Sequence, residues 1–189
     1  MKITRRQLKK IIIESLAPSY YLLKEQSDIP CKRDVYWGRG GAGVMFICSE
    51  DDTILLLLRA EWVDNGETWG IPGGGVEEGW FDTPIEEPIT DQSIFIDAAL
   101  REAEEECGSL PPGFSEDQLI RNTVYEDCGF QYKTYIADIT LEQKNSWELV
   151  SNDEETDQFE WFPKSAVFPG AELMGYPLHF GVEYTISNM

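Results

Sequence analysis

The sequence predicts an α/β fold, a mixed β-sheet with helices on both faces, and three observations predict it. First, Val44-Met45-Phe46-Ile47-Cys48 and Thr53-Ile54-Leu55-Leu56-Leu57-Leu58 are apolar runs of strand length joined by the polar turn Ser49-Glu50-Asp51-Asp52. Neither alternates, as expected of strands covered on both faces. Second, the segment ending at Gly108 places Ile96, Ala99, Leu100, Ala103 and Cys107 at the spacing of a buried helical stripe. Third, Leu119 to Tyr125 and Gln131 to Ile139 form two further strands around a turn, followed by a short helix opening at Ser165 to Val167 and a last strand, Gly181 to Ile186. At 189 residues, with 42% apolar and 12% aromatic side chains, the chain suits one globular domain with a full core plus an appendage.

Ahead of the first strand, Gly38, Gly40 and Gly43 match a GxGxxG pattern. A dinucleotide loop is rejected, because the match precedes a strand instead of opening a helix after one. Beyond the second strand, Trp69-Gly70-Ile71-Pro72-Gly73-Gly74-Gly75-Val76-Glu77-Glu78-Gly79 is a turn-rich run whose glycines permit close backbone approach. Trp62 and Trp69 read as packing residues rather than stacking platforms. Pro84 and Pro88 keep residues 80–92 from forming a regular helix, so that stretch is a surface excursion or a lid. On the helix, Glu102, Glu105 and Glu106 stand at i, i+3 and i+4, a patch of like charge that calls for a positive partner. Hard divalent cations, which take oxygen ligands, suit it. Gly108 fits the left-handed position that closes a helix.

The glycine run and the acidic helix together resemble the signature of the Nudix hydrolases, Gly-x5-Glu-x7-Arg-Glu-U-x-Glu-Glu-x-Gly-U, with U aliphatic. Gly74 matches its first glycine, and Arg101, Glu102, Ala103, Glu105, Glu106 and Gly108 match its second half in order. Trp80 stands where the pattern has its first glutamate, and Ser109 where it ends on an aliphatic residue. With 20 residues between Trp80 and Arg101, the two halves are split by an insertion of about 13. Counting back from Arg101 instead puts Ser93 at the glutamate position, and Glu86, Glu87 or Asp97 are the substitutes on offer. The resemblance implies the Nudix α/β/α sandwich, and Mg²⁺ or Mn²⁺ held by Glu102, Glu105 and Glu106 with the carbonyl of Gly73 or Gly74. It implies that Arg101 orients the glutamates. Glu155, six residues before Trp161, matches a second recurrent feature of the family, a glutamate that reaches the cations or acts as base, so Glu105 or Glu155 takes the proton. The implied reaction is hydrolysis of a phosphoanhydride in a nucleoside diphosphate linked to another moiety, such as ADP-ribose or a dinucleoside polyphosphate. Tyr125, 16 residues beyond Ser109, is similar to a tyrosine of the dinucleoside-polyphosphate-cleaving members; its plain reading is a core strand residue. His179, the single histidine, reads as structural.

The chain divides into residues 1–37, an amphipathic leader helix and linker, and residues 38–189, the Nudix domain. The net charge is −20, yet the first ten residues hold five of the 15 bases and none of the 35 acids. So acidic a body argues against nucleic acid as partner, since phosphate contacts come chiefly from Lys and Arg. A small nucleotide is less constrained, because a bound cation inverts the local field. In the leader, Leu8, Ile12 and Leu16 repeat every four residues before Pro18. It either docks on its own acidic body or takes a protein partner, and Ile12-Ile13-Glu14 resembles the cleavage triplet of phage capsid-targeting leaders. A homodimer is compatible with the sequence. No apolar run spans a membrane, Ile11-Ile12-Ile13 is too short for a signal peptide, and four cysteines without CxxC spacing read as reduced thiols in the cytoplasm. Besides the enzyme, two readings stand: a Nudix module that senses a nucleotide without cleaving it, and a phage-associated protein carrying a targeting leader.

Overall fold

The computed structural model describes residues 40–76, 89, 91–127, 130–151 and 154–189. The leader, Trp80, Glu86, Glu87, Cys31 and Cys128 lie outside the described residues.

The two apolar runs form β1 (Gly40–Cys48) and β2 (Thr53–Arg59), an antiparallel pair in which Ile47 faces Ile54. From there the pair diverges, and the glycine run fills the gap as two short strands. β3 (Trp69–Gly70) pairs with β2 and β4 (Gly73–Gly75) with β1. β5 (Leu119–Asp127) and β6 (Phe130–Asp138) form an antiparallel pair, and β6 adds to β1 in parallel. β7 (Thr156–Pro163) lies antiparallel to β2 along its length. The result is a seven-stranded mixed sheet.

Alternation along β1 divides its side chains between two cores. Ala42, Val44 and Phe46 pack with Phe95, Ala98, Ala99 and Ala103 of helix α1 (Ser93–Cys107). Met45 and Ile47 pack on the other face with Leu56, Trp69, Ile136 and Val182, the last from helix α3 (Phe180–Ser187). A sheet covered by helices on both faces is the predicted α/β/α sandwich. Phe46 lies edge-on to Trp147 at 4.9 Å, and Trp69 to Phe162 at 4.8 Å, one aromatic pair in each core. Cys48 and Cys107 are buried thiols. Among the described residues, no helix is long and apolar enough to cross a membrane.

Several boundaries differ from the sequence reading. Residues 181–186 are helical: Val182, Thr185 and Ile186 are β-branched, which favours a strand, but they meet the core at helical spacing. The helix expected at Ser165 is one 3-10 turn, Lys164–Ala166. A short helix, α2 (Leu141–Ser146), was signalled by Thr140 and Gln143, which form a capping box with reciprocal side-chain to backbone bonds. Helix α1 begins at Ser93, whose amide and hydroxyl donate to Asp91 at 3.0 and 2.8 Å. Its buried stripe turns on Phe95 and Ala98 as well as Ala99 and Ala103, while Ile96 and Leu100 are only partly buried. Gly108 ends it at φ 81°, as expected. Gly40, Gly41 and Gly43 lie inside β1, which accounts for the failed GxGxxG match.

Candidate functional site

The site is built where α1 meets the glycine strand. Ala98, Ala99 and Ala103 have no bulk beyond Cβ, so the helix lies close over β1 and β4, and the side chains one turn apart on its flank meet the backbone of residues 73–75. Glu106 accepts the Gly73 amide at 3.2 Å and is only 6% exposed. A carboxylate so buried is retained only with hydrogen bonds or countercharge. Glu102, one turn earlier, lies against Gly74: a Cβ there would stand 2.5 Å from the glutamate Cδ. Gly74 is pinned in register opposite Ala42, so the missing side chain is what admits the carboxylate.

Arg101 ties the two halves together. Its Nη1 lies 2.9 Å from Glu102 and 3.5 Å from Glu105, and its Nη2 donates to the Gly75 carbonyl at 3.0 Å. Glu102 and Glu105 thus share one guanidinium group. Glu102 and Glu106 face the glycine strand, whereas the Glu105 side chain is 59% exposed and meets the arginine. Residues one apart on a helix differ by about 100° in direction, which spacing alone understates. Among the described residues, no three His, Cys, Asp or Glu side chains converge as a ready metal cluster. The carboxylates of Glu102 and Glu106 beside the glycine strand, with Glu105 next to them on the helix, are hard oxygen donors of the kind that divalent cations take.

Glu155 precedes β7, and its carbonyl accepts the Ala60 amide at 2.8 Å. It thereby sits beside the end of β2, and Trp161 lies well inside β7. Asp97 is exposed on α1. Tyr125 packs edge-on against Tyr184 at 5.3 Å and Phe180 at 6.5 Å, the aromatic packing of a strand under α3. His179 caps α3, its Nδ1 accepting the Gly181 amide at 3.1 Å. Burial, with the Arg59 charge second, pulls its pKa down to about 4, so the cap is a neutral imidazole.

Sequence reasoning passed over Tyr132. Its ring lies across Gly41 and its hydroxyl reaches Gly43 and Gly73. Burial, then the Glu106 charge, holds the phenol well above its ordinary value, so it stays protonated. The available signal was the glycine parity of β1, which leaves one face bare for a large neighbour. Arg59 ends β2. Its stem packs on Gly70 and its Nε and Nη2 donate to the Asp64 carbonyl at 3.2 and 3.0 Å.

The profile of the NUDIX domain matches residues 38–179. A nucleoside triphosphate pyrophosphatase/Nudix hydrolase fusion protein of Bifidobacterium longum (strain NCC 2705) is 31% identical over 154 residues, 78% of this chain and 28% of the relative. A Mycobacterium tuberculosis (strain CDC 1551 / Oshkosh) protein provisionally named 8-oxo-dGTP diphosphatase 3 is 31% identical over 160 residues, 77% of this chain and 59% of the relative. The chain thus spans well under two thirds of either relative's length. The crystal structure of a MutT NUDIX hydrolase from Burkholderia pseudomallei shares the fold, with a TM-score of 0.51 and 22% identity over 80% of this chain and 98% of that one. With the profile covering most of its length, this chain belongs to the NUDIX domain family.

Proposed function

We propose that the chain is a divalent-cation-dependent pyrophosphohydrolase acting on a phosphoanhydride bond in a nucleoside diphosphate linked to another moiety, with ADP-ribose and dinucleoside polyphosphates as the leading substrate types. The observation that carries this reading is the closure of two α1 carboxylates onto the glycine strand, Glu106 through the Gly73 amide and Glu102 against Gly74. Glu102, Glu105 and Glu106, with the carbonyl of Gly73 or Gly74, would hold Mg²⁺ or Mn²⁺. Such an ion, when bound, neutralises diphosphate charge and makes water acidic enough to ionise near neutral pH.

The chain's own side chains supply orientation and proton transfer. Arg101, through its contacts with Glu102, Glu105 and the Gly75 carbonyl, aligns both acids by charge-assisted bonds. Glu105 and Glu155 are the two candidate bases that take a proton from the attacking water, which displaces the leaving phosphate in line. The similarity to a Nudix hydrolase fusion protein and to a diphosphatase supports the bond class. A net charge of −20 favours a small nucleotide over nucleic acid, and the cytoplasm supplies such nucleotides. The catalytic domain begins at residue 38, and the basic leader of residues 1–37 is a candidate for binding a protein partner. Native mass spectrometry of the full chain tests leader processing and a homodimer together.

The reading is tested by incubating the full chain with Mg²⁺ or Mn²⁺ and ADP-ribose, diadenosine polyphosphates, NADH, or nucleoside triphosphates including 8-oxo-dGTP. Turnover of at least one, abolished by a chelator, is the expected result. Saturable nucleotide binding with no turnover would make the chain a sensing module instead, a reading that the tryptophan at the first signature glutamate keeps alive.

A further inference from the structure

The geometry points to Tyr132 as a positioning residue that braces Gly73, and through it Glu106, from the face of the sheet opposite α1. The inference rests on the proposed cation site and adds a residue to it. Tyr132 shares its strand parity with Thr134 and Ile136. Thr134 accepts a hydrogen bond from the Thr185 hydroxyl of α3 at 3.1 Å, and Ile136 belongs to the core under that helix. The phenol therefore lies on the α3 side, while Glu102 and Glu106 come from α1 on the other.

Three glycines make room for it. In the parallel ladder Tyr132 stands opposite Gly41, and in the antiparallel ladder Gly43 stands opposite Gly73. A Cβ on Gly41 would lie 2.7 Å from ring Cδ2, and a Cβ on Gly43 2.7 Å from the phenol oxygen. A Cβ on Gly73 would collide with the same oxygen. The ring thus fills a slot that three absent side chains leave open, and its hydroxyl ends against Gly73. That residue is fixed twice, by the phenol at its Cα and by the Glu106 carboxylate at its amide, 3.2 Å away. Without the phenol, the end of β4 can sink toward α3. The amide then withdraws from Glu106, whose buried carboxylate loses the bond that aims it. The glycine parity of β1 hints at a large neighbour but does not say which, since Tyr132 and Gly73 meet only through two ladders of opposite sense.

The test uses the full chain with Tyr132→Phe, which removes only the oxygen, and Tyr132→Leu, which removes the ring. Two quantities are read at a temperature where circular dichroism shows each variant folded: hydrogen exchange of the Gly73 amide without metal, and the Mn²⁺ dissociation constant by electron paramagnetic resonance. Supporting groups behind metal ligands are worth about 10–100-fold in affinity, so Tyr132→Leu should weaken Mn²⁺ binding at least about tenfold and Tyr132→Phe about threefold. Gly73 exchange should quicken in the same order. A residue that merely stabilises the fold would lower the melting temperature without moving either quantity. Folded variants that match the wild type within twofold in both would overturn the inference. Should Tyr132→Leu not fold, Tyr132→Phe decides alone. If the wild type takes up no Mn²⁺, the cation reading fails, and the metal-free exchange of Gly73 still decides whether Tyr132 braces it.

Discussion

Adding a single methyl at Gly74 discriminates between a site that depends on the placement of Glu102 and one that does not. The new Cβ would stand 2.5 Å from the Glu102 Cδ and within 2.6 Å of both carboxylate oxygens, where ordinary contact begins at 3.4 Å. Something must yield by about 1 Å, and the ladder decides what. Gly74 is paired with Ala42 between two further ladder pairs, so the strand resists, whereas the carboxylate is the end of a flexible side chain. In Gly74→Ala the acid should swing aside and strain its 2.9 Å contact with Arg101. Stability should change by less than about 1 kcal/mol, since no core atom moves. Catalysis is less forgiving, because misplacing a reacting group by about 1 Å costs roughly 10²-fold, or about 2.7 kcal/mol of barrier. The assay is kcat/KM at saturating Mg²⁺ beside a thermal melt. A variant within threefold of wild-type kcat/KM would refute the role of Glu102. A melting temperature lowered by more than about 10 °C would show instead that the strand moved.

Glu105→Gln and Glu155→Gln separate the two candidate bases: loss of the true base should lower kcat about 10²–10⁴-fold and flatten the acid limb of the pH–rate profile. Both variants within tenfold of wild type would remove both residues from that role. His179, with its folded pKa near 4 against an ordinary 6.5, is protonated less readily in the fold than in the unfolded chain. Stability should therefore be full above pH 6.5 and fall as the pH drops toward 4, by about 2 kcal/mol between pH 7 and 5. In urea melts His179→Asn, which can still cap α3 but does not titrate, should remove most of that slope; an unchanged slope would assign it to other groups. Trp69→Phe deletes the 2.7 Å bond from the indole Nε1–H to the Leu173 carbonyl and should cost about 1–3 kcal/mol in urea melts. No measurable loss would mean that water replaces the indole.

Features set by local pattern were legible in the sequence, and features set by distant pairing were not. β1 and β2 could be read because each buries both faces and has no room for a polar residue mid-strand. Gly108 could be read because a left-handed cap at φ 81° admits few other residues. Val182, Thr185 and Ile186 misled because side-chain shape favours a strand, while the His179 cap and the core beneath select a helix. The signature singled out Arg101, Glu102 and Glu106, and α1 brings all three beside the glycine strand. The departure of Glu105 toward solvent depends on how α1 is rotated against β1, which Phe95, Ala98 and Ala99 decide by packing.

The insertion within the signature looks, in sequence, like damage to a site whose two halves belong together. The contacts argue otherwise. The glycine half and the helical half meet through Gly73 donating to Glu106 and Arg101 donating to the Gly75 carbonyl, both between residues that the signature retains. Those bonds, with the alanine face of α1 against β1, hold the helix at a fixed height over the strand whatever length of chain joins them. Closing a longer connection costs little, roughly 0.6 kcal/mol for each doubling of its length. A change in the length of that connection leaves these contacts in place. Catalytic competence should therefore track Gly74, Arg101, Glu102 and Glu106, whereas shortening residues 80–88 should alter which nucleotide is accepted. A panel in which the shortened chain loses turnover of every substrate, while still binding Mn²⁺ as the wild type does, would show that the inserted residues belong to the reacting centre.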